Sequence, residues 1–483
     1  MQATIKNQEV IFKKENEIAE LNDKIEDLNN KIKKLEDDIE NLNQEKDSLE
    51  GELKFLRTYG INFLDESKNE KNSTAANIND FDNFTDYLFG NNFNKKITQN
   101  KPASFGNFDK MINYWQSHLN TAKYNYLKYD KKILESLYFG LQTDQLILLM
   151  GNPGTGKTSL VKALAKSFDF ADAAIIPVQS NWTDKSDLIG YYNPLEKNYV
   201  STPFLDALIN FSRQAENNPE KLFIICLDEM NLAHVEYYFA EFLSILQDND
   251  AEITLYSEQL RKDILYELQN SGFKMDGDKI FYEGTPLENL SLLERKYYFE
   301  LRRLAQMLIN YPAKFKIPKN VKFFGTLNQD ETTLDISPKV LDRSYVIRIE
   351  KFSDEEIPVG DENPLNYKLL ENYQNSVPKD NKITAKIDYL KSTLKTFSAT
   401  HVSCRVTDKI FGNEKFLIWA EILSAERVCD FIIASCVLPK VRLDEENYES
   451  VAAIEKLCIG ALSWKIWQHI NSPKDNQADF WRR

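Results

Sequence analysis

The chain has 483 residues, 42% hydrophobic and 28% charged, which excludes a single small module and a wholly disordered or fibrous chain and predicts several domains. Sixty Lys and Arg against 74 Asp and Glu leave a formal charge of −14. That excludes a surface that grips nucleic acid or anionic lipid over its whole extent, though not a local basic pore or patch. Five cysteines without a C-x-x-C pair fit neither a disulfide framework nor a zinc site. With neither a signal-peptide pattern at the N-terminus nor an apolar run of ~20 residues, the sequence predicts a cytoplasmic protein with no membrane contact.

In chain order, residues 1–57 come first. Ile18, Leu21, Ile25, Leu28, Ile32, Leu35, Ile39 and Leu42 alternate by threes and fours, followed by Lys46, Leu49, Leu53 and Leu56. Ile at a and Leu at d predict a parallel two-stranded coiled coil, and Lys46 at an a position fixes register against higher-order packing. The alternative is one amphipathic helix lying on its own domain. The narrow stripe and the 3.5-residue period favour the coil. Residues 58–106, rich in Asn, Asp, Ser and Lys, read as a linker in which Phe81, Phe84, Phe89 and Phe93 allow local docking.

Residues 107–350 change texture. Amphipathic stretches at Met111–Tyr126 and Lys131–Phe139 lead to an apolar run, Leu146–Met150, and short apolar runs then alternate with helical patterns as in a parallel α/β sheet. Directly after the first run stands Gly151-Asn152-Pro153-Gly154-Thr155-Gly156-Lys157-Thr158-Ser159, opening a helical pattern. The glycines let backbone N–H groups wrap phosphates, and the helix N-terminus adds positive charge. Lys157 is suited to reach the β and γ phosphates, and the Thr158 hydroxyl to bind Mg²⁺. This is a nucleoside triphosphate site.

A second run, Leu222–Leu227, ends in Asp228 and Glu229 about 70 residues later. Asp228 is suited to the Mg²⁺ shell and Glu229 to polarising a water for attack on the γ-phosphate. A third, Val321–Leu327, ends in Asn328, an amide able to orient that water, where the plainer reading is a turn-initiating Asn. Arg343, in Pro338-Lys-Val-Leu-Asp-Arg343, is a candidate arginine finger for a neighbour's nucleotide. Between the second and third runs lies an insertion, 258–317, readable as a solvated hairpin or helix pair, or as a docking element for a partner or a threaded strand. Residues 351–483 read as a mostly helical lid.

The P-loop, Leu227-Asp-Glu-Met-Asn-Leu-Ala233, Gly325-Thr-Leu-Asn328 and Leu341-Asp-Arg343 together resemble the AAA+ NTPases of the McrB and dynein-related branch, near the MoxR group. Trp182–Pro194 and Val437–Val441 resemble further segments of McrB-like motors. The resemblance implies a P-loop AAA+ sheet with a C-terminal helical lid, Mg²⁺ as cofactor, ATP or GTP as substrate, and assembly with copies of itself into a hexameric ring. It makes Lys157 and Thr158 the Walker A pair, Asp228 and Glu229 the Walker B pair, Asn328 sensor 1 and Arg405 sensor 2, and it points Trp182–Pro194 at the ring's central pore. It also implies a separate McrC-like nuclease, or another coiled-coil partner, with DNA met through the pore or that partner. A MoxR-like chaperone acting on a protein client is the alternative, and an assembly protein with nucleotide as a switch is a third. The family's Met-Asn-Thr-Ala-Asp-Arg-Ser signature is here Leu327-Asn-Gln-Asp-Glu-Thr-Thr333, with Glu331 for its Asp and Thr332 for its Arg, which leaves the choice of ATP or GTP open.

Deleting residues 1–57 is expected to lower the oligomeric order, read by light scattering, while nucleotide binding persists; an unfolded product would make the segment part of the core instead.

Overall fold

The computed structural model describes Lys31, most of residues 108–349 and 357–360, and residues 424–443 and 454–481 with short gaps. The coiled-coil and linker segments, apart from Lys31, and Arg405 lie outside the described residues. The chain forms two compact units, residues 1–77 with 284–305 and residues 78–283 with 306–483.

In the second unit two helices, α1 (Phe108–Leu119) and α2 (Lys131–Leu141), precede β1 (Leu146–Gly151). Asp130 caps α2 by accepting the Lys132 N–H. All six β1 residues are buried, as expected of a strand covered on both faces. The chain continues through α3 (Lys157–Ser167) to β2 (Ala171–Pro177), then α4 (Lys185–Ile189) and a small hairpin, β3 (Tyr191–Asn193) with β4 (Asn198–Val200). It returns through α5 (Pro203–Asn217), which Thr202 caps by accepting the Leu205 N–H, to β5 (Leu222–Asp228). The Trp182–Pro194 segment thus holds α4 and β3.

Two short helices, α6 (Val235–Tyr238) and α7 (Ala240–Ile245), lead to β6 (Glu252–Thr254) and the insertion. The insertion holds α8 (Glu258–Asn270), the hairpin β7 (Phe273–Asp276) with β8 (Lys279–Tyr282), α9 (Leu292–Asn310) and β9 (Lys314–Lys316), with β9 antiparallel to β6 at its base. A tyrosine cluster joins this base to the β3–β4 hairpin: Tyr199 stacks on Tyr311 at 5.1 Å, and Tyr192 and Tyr199 both meet Tyr256. The Tyr311 hydroxyl donates to Ser201 Oγ (2.9 Å) and Asp206 Oδ1 (3.1 Å), and burial beside Asp206 pushes it up to about 12. Within the other unit, the start of α9 is closed by a reciprocal cap: Ser291 N–H donates to Glu294 Oε2 (2.8 Å) and Glu294 N–H to Ser291 Oγ.

After β10 (Val321–Asn328), α10 (Pro338–Leu341) and β11 (Ser344–Arg348), the central sheet is complete. Its order is β11-β1-β10-β5-β2, all neighbours parallel. This is the P-loop AAA+ α/β architecture.

The described C-terminal residues comprise α11 (Ala425–Ile432), β12 (Arg442–Leu443), α12 (Ala461–Ile470), β13 (Asn471–Ser472) and β14 (Gln477–Asp479). The last three strands form an antiparallel sheet in the order β12-β14-β13, so the region is less purely helical than its sequence suggests. It is seated on the core by Ser136 Oγ with Ser435 Oγ (3.4 Å), by Arg427 with Glu135 (2.7 Å) and Asp109 (3.1 Å), and by Arg348 Nη1 donating to the Phe480 carbonyl (2.7 Å). Buried Asp430 accepts the N–H groups of Leu462 (3.0 Å) and Ser463 (2.8 Å) at the start of α12. Asp430→Ala leaves two donors unmet and is expected to cost ~1–3 kcal/mol in chemical denaturation.

Candidate nucleotide-binding site

The strand order brings three tips to one edge of the sheet. β10 lies between β1 and β5, with Asn328 level with Gly151 and Gly325 level with Leu227. The P-loop, the Asp228-Glu229 pair and Asn328 therefore meet at the carboxyl ends of adjacent strands, where open parallel sheets collect ligands.

Two glycines of the loop are required by geometry. Gly156 caps α3 at φ 82°, a left-handed conformation that side chains disfavour, and a Cβ on Gly151 would lie 2.2 Å from the Ile349 carbonyl. The Tyr129 hydroxyl donates to the Gly156 carbonyl (2.7 Å), anchoring the loop's end; its burial raises the Tyr129 pKa. Lys157 is turned back on the loop, with Nζ donating to the Gly151 and Asn152 carbonyls, each at 2.9 Å. Asn152, Pro153 and Gly154 form the exposed crest; Thr155 is buried, its hydroxyl bonded to the Asn152 carbonyl (2.9 Å), and Ser159 lies one residue past Thr158 on α3.

The carboxylate of Asp228 gathers hydroxyls. Its Oδ1 accepts from Thr158 Oγ1 (2.5 Å) and from Thr326 Oγ1 (2.6 Å). The Thr326 hydroxyl in turn accepts the Glu229 N–H at 2.8 Å. One threonine thus ties β10 to both acids. Thr158 and Asp228 present an oxygen-only pair, the donor chemistry Mg²⁺ takes, so these residues fit a magnesium ion carried on phosphates.

Glu229 stands at φ 55°, ψ 47°, left-handed for a residue with a side chain, a conformation that costs on the order of 1 kcal/mol. Its Oε1 accepts from Asn328 Nδ2 at 3.0 Å. Carboxylate and amide therefore already touch, on the open side of the site.

Arg343 is elsewhere. It immediately precedes β11, and its carbonyl accepts the N–H of Leu146, the first residue of β1. Gly151 lies at the other end of that strand, about 17 Å away at 3.3 Å per residue, farther than an arginine side chain reaches. The Arg343 Nη1 donates to the Lys339 carbonyl (2.8 Å). Adjacent Asp342 pairs with Lys440 at 2.6 Å, a lysine 6% exposed in the Val437–Val441 stretch. The sheet brings Lys157, Thr158, Asp228, Glu229 and Asn328 together and leaves Arg343 at the opposite edge.

Thr326, Tyr129 and Asn231 were not assigned roles from sequence. Thr326 had a signal: two residues before Asn328, it shares that residue's face of the strand. Tyr129, 27 residues from its acceptor, had none.

A model of the AAA domain of the dynein-related subfamily matches residues 146–268. That segment holds the P-loop and the Asp228-Glu229 strand end, and the AAA-type reading of the sheet order and P-loop agrees with the match. Among curated proteins the chain is 25% identical to midasin of Dictyostelium discoideum over 135 residues, 27% of this chain and 2% of that protein. It is 30% identical over 118 residues to the EcoKMcrB subunit of the type IV methyl-directed restriction enzyme of Escherichia coli strain K12, 24% of this chain and 25% of that subunit. A solved structure of a candidate ATPase from Cytophaga hutchinsonii superposes with a TM-score of 0.36 at 16% identity, covering 72% of this chain and 96% of that one. Among the described residues no helix is long and apolar enough to cross a membrane.

Thr326→Val removes the hydroxyl shared by Asp228 and the Glu229 N–H. Turnover is expected to fall ~10–100-fold in a steady-state phosphate-release assay, with nucleotide affinity changed far less.

Proposed function

We propose that this chain is the motor of a ring that hydrolyses ATP or GTP at subunit interfaces and powers a McrB-like restriction or antiphage complex whose nuclease is a separate subunit. The observation that carries the reading is the division of the machinery across the sheet. Phosphate, metal and water-activating groups share one edge, and Arg343 stands at the other, too far for its own site and suited to a neighbour's. The likeness to a restriction-enzyme subunit, found beside one to midasin, is what supports the defence role.

In this reading Lys157 exchanges the Gly151 and Asn152 carbonyls for phosphate oxygens. Thr158 and Asp228 would hold Mg²⁺, which would supply charge neutralisation on the phosphates. Glu229 takes the proton of the attacking water, and Asn328, already bonded to that carboxylate, orients it. The backbone strain at Glu229 fixes the direction of its side chain before substrate arrives. The resemblance makes Arg405, outside the described residues, the lid arginine for the nucleotide. DNA, where it is handled, meets the pore hairpin or the nuclease partner.

Glu229→Gln is expected to bind nucleotide and accumulate assembled rings with turnover reduced at least ~100-fold. Arg343→Ala should bind and not hydrolyse. Mixed with Lys157→Ala, it should recover part of the activity, because one subunit then supplies the site and its neighbour the arginine. Wild-type turnover in Glu229→Gln, or no recovery on mixing, counts against the interface mechanism.

A further inference from the structure

Asn231 lies two residues beyond Glu229, in the single turn Met230–Leu232, and is 3% exposed. Its side chain is committed to the end of β10. Nδ2 donates to the Asn328 carbonyl at 2.9 Å and to the Leu334 carbonyl at 3.4 Å, and Oδ1 accepts the Asn328 N–H at 3.3 Å. Its own backbone carbonyl accepts the Leu334 N–H at 3.0 Å.

The reason lies in the sheet. On one side β10 runs level with β1 as far as Asn328 opposite Gly151, but on the other its pairing with β5 stops at Gly325 opposite Leu227. A strand residue turns its N–H and C=O to the same side, and a buried pair of such groups needs a partner. The Asn231 carboxamide, one donor group and one acceptor, substitutes for the strand residue that β5 does not supply. It thereby sets the height and direction of Asn328, whose own amide holds the Glu229 carboxylate. Through Leu334 it also grips the segment that leads into α10 and Arg343.

We infer that Asn231 is a positioning residue: it fixes Asn328 against Glu229 and joins this subunit's hydrolytic site to the segment presenting Arg343. The inference rests on the hydrolytic role proposed above, and it adds a route by which the state of one site reaches the arginine offered to the next.

The test uses the full chain with Asn231→Ala and Asn231→Asp. The second keeps the shape and puts a third oxygen against two carbonyls, and it stands in if the alanine variant does not fold. Nucleotide affinity, read by a fluorescent nucleotide, is expected to stay within about 3-fold of wild type while kcat falls ~10–100-fold. In a cycle with Asn328→Ala, the double variant should turn over no more slowly than Asn328→Ala alone, because both act through one amide. Hydrogen exchange should rise across residues 321–341, whether or not the ring hydrolyses. Unchanged exchange there overturns the positioning role. So does a kcat loss that adds to that of Asn328→Ala. If wild type itself has no turnover but the exchange rises as stated, the hydrolytic reading fails and the positioning of Asn328 stands.

Discussion

Everything in the site depends on β10 lying between the P-loop strand and the acidic strand. In a parallel sheet, neighbours are set by hydrogen bonds ~4.8 Å apart, so the tips of β1 and β5 are held about two strand spacings from each other. That gap separates the strand that leads to Lys157 from the strand that ends in Asp228. β10 both enforces the gap and fills its floor with Thr326 and Asn328, residues i and i+2 on one face. Slipping β10 by one residue would turn that face away and remove both groups at once.

The polar contacts around Asp228 and Glu229 follow from that constraint. Thr158 from α3 and Thr326 from β10 converge on one carboxylate oxygen, so the helix after β1 and the central strand are coupled through a group that is neither buried nor fully wet. Each hydroxyl bond to an ionised carboxylate contributes on the order of 1.5–3 kcal/mol. Two such bonds comfortably offset the ~1 kcal/mol of strain at Glu229, whose N–H is tied to the same network through Thr326. The strained residue is held by a neighbouring strand, so its conformation is imposed by tertiary contacts and not by local preference.

This division explains what could be read from the chain alone. Leu146–Gly151, Leu222–Asp228 and Val321–Asn328 were legible because strands buried on both faces are written as continuous apolar runs, and the site residues follow at their ends. β2, with the sequence Ala-Asp-Ala-Ala-Ile-Ile-Pro, was not legible: an edge strand half covered by its neighbours needs less apolar length. The C-terminal strands of two or three residues are held by partners such as the Arg348 contact to Phe480 and the Trp481 bond to the Pro439 carbonyl, which no local pattern announces. Asn231 was invisible for the same reason, since an asparagine after a strand reads first as a turn former and its acceptors lie 97 and 103 residues away.

The opposite edge of the sheet obeys a different logic. Arg343 immediately precedes β11, and the described C-terminal region rests on that strand through Arg348 to Phe480. Asp342, beside it, is bound to Lys440 with the lysine almost fully covered, and a buried charge of that kind tolerates little displacement of its partner. A shift of the Val437–Val441 segment relative to the core must therefore either break this pair or carry Asp342, and with it Arg343, along. If Arg343 serves a neighbouring nucleotide, the Asp342–Lys440 pair makes its placement sensitive to the C-terminal region of its own subunit, while the segment after β10 makes it sensitive to Asn328. Its placement is thus tied from two sides of its own subunit, through Asp342 to Lys440 and through the segment that Asn231 holds at Leu334.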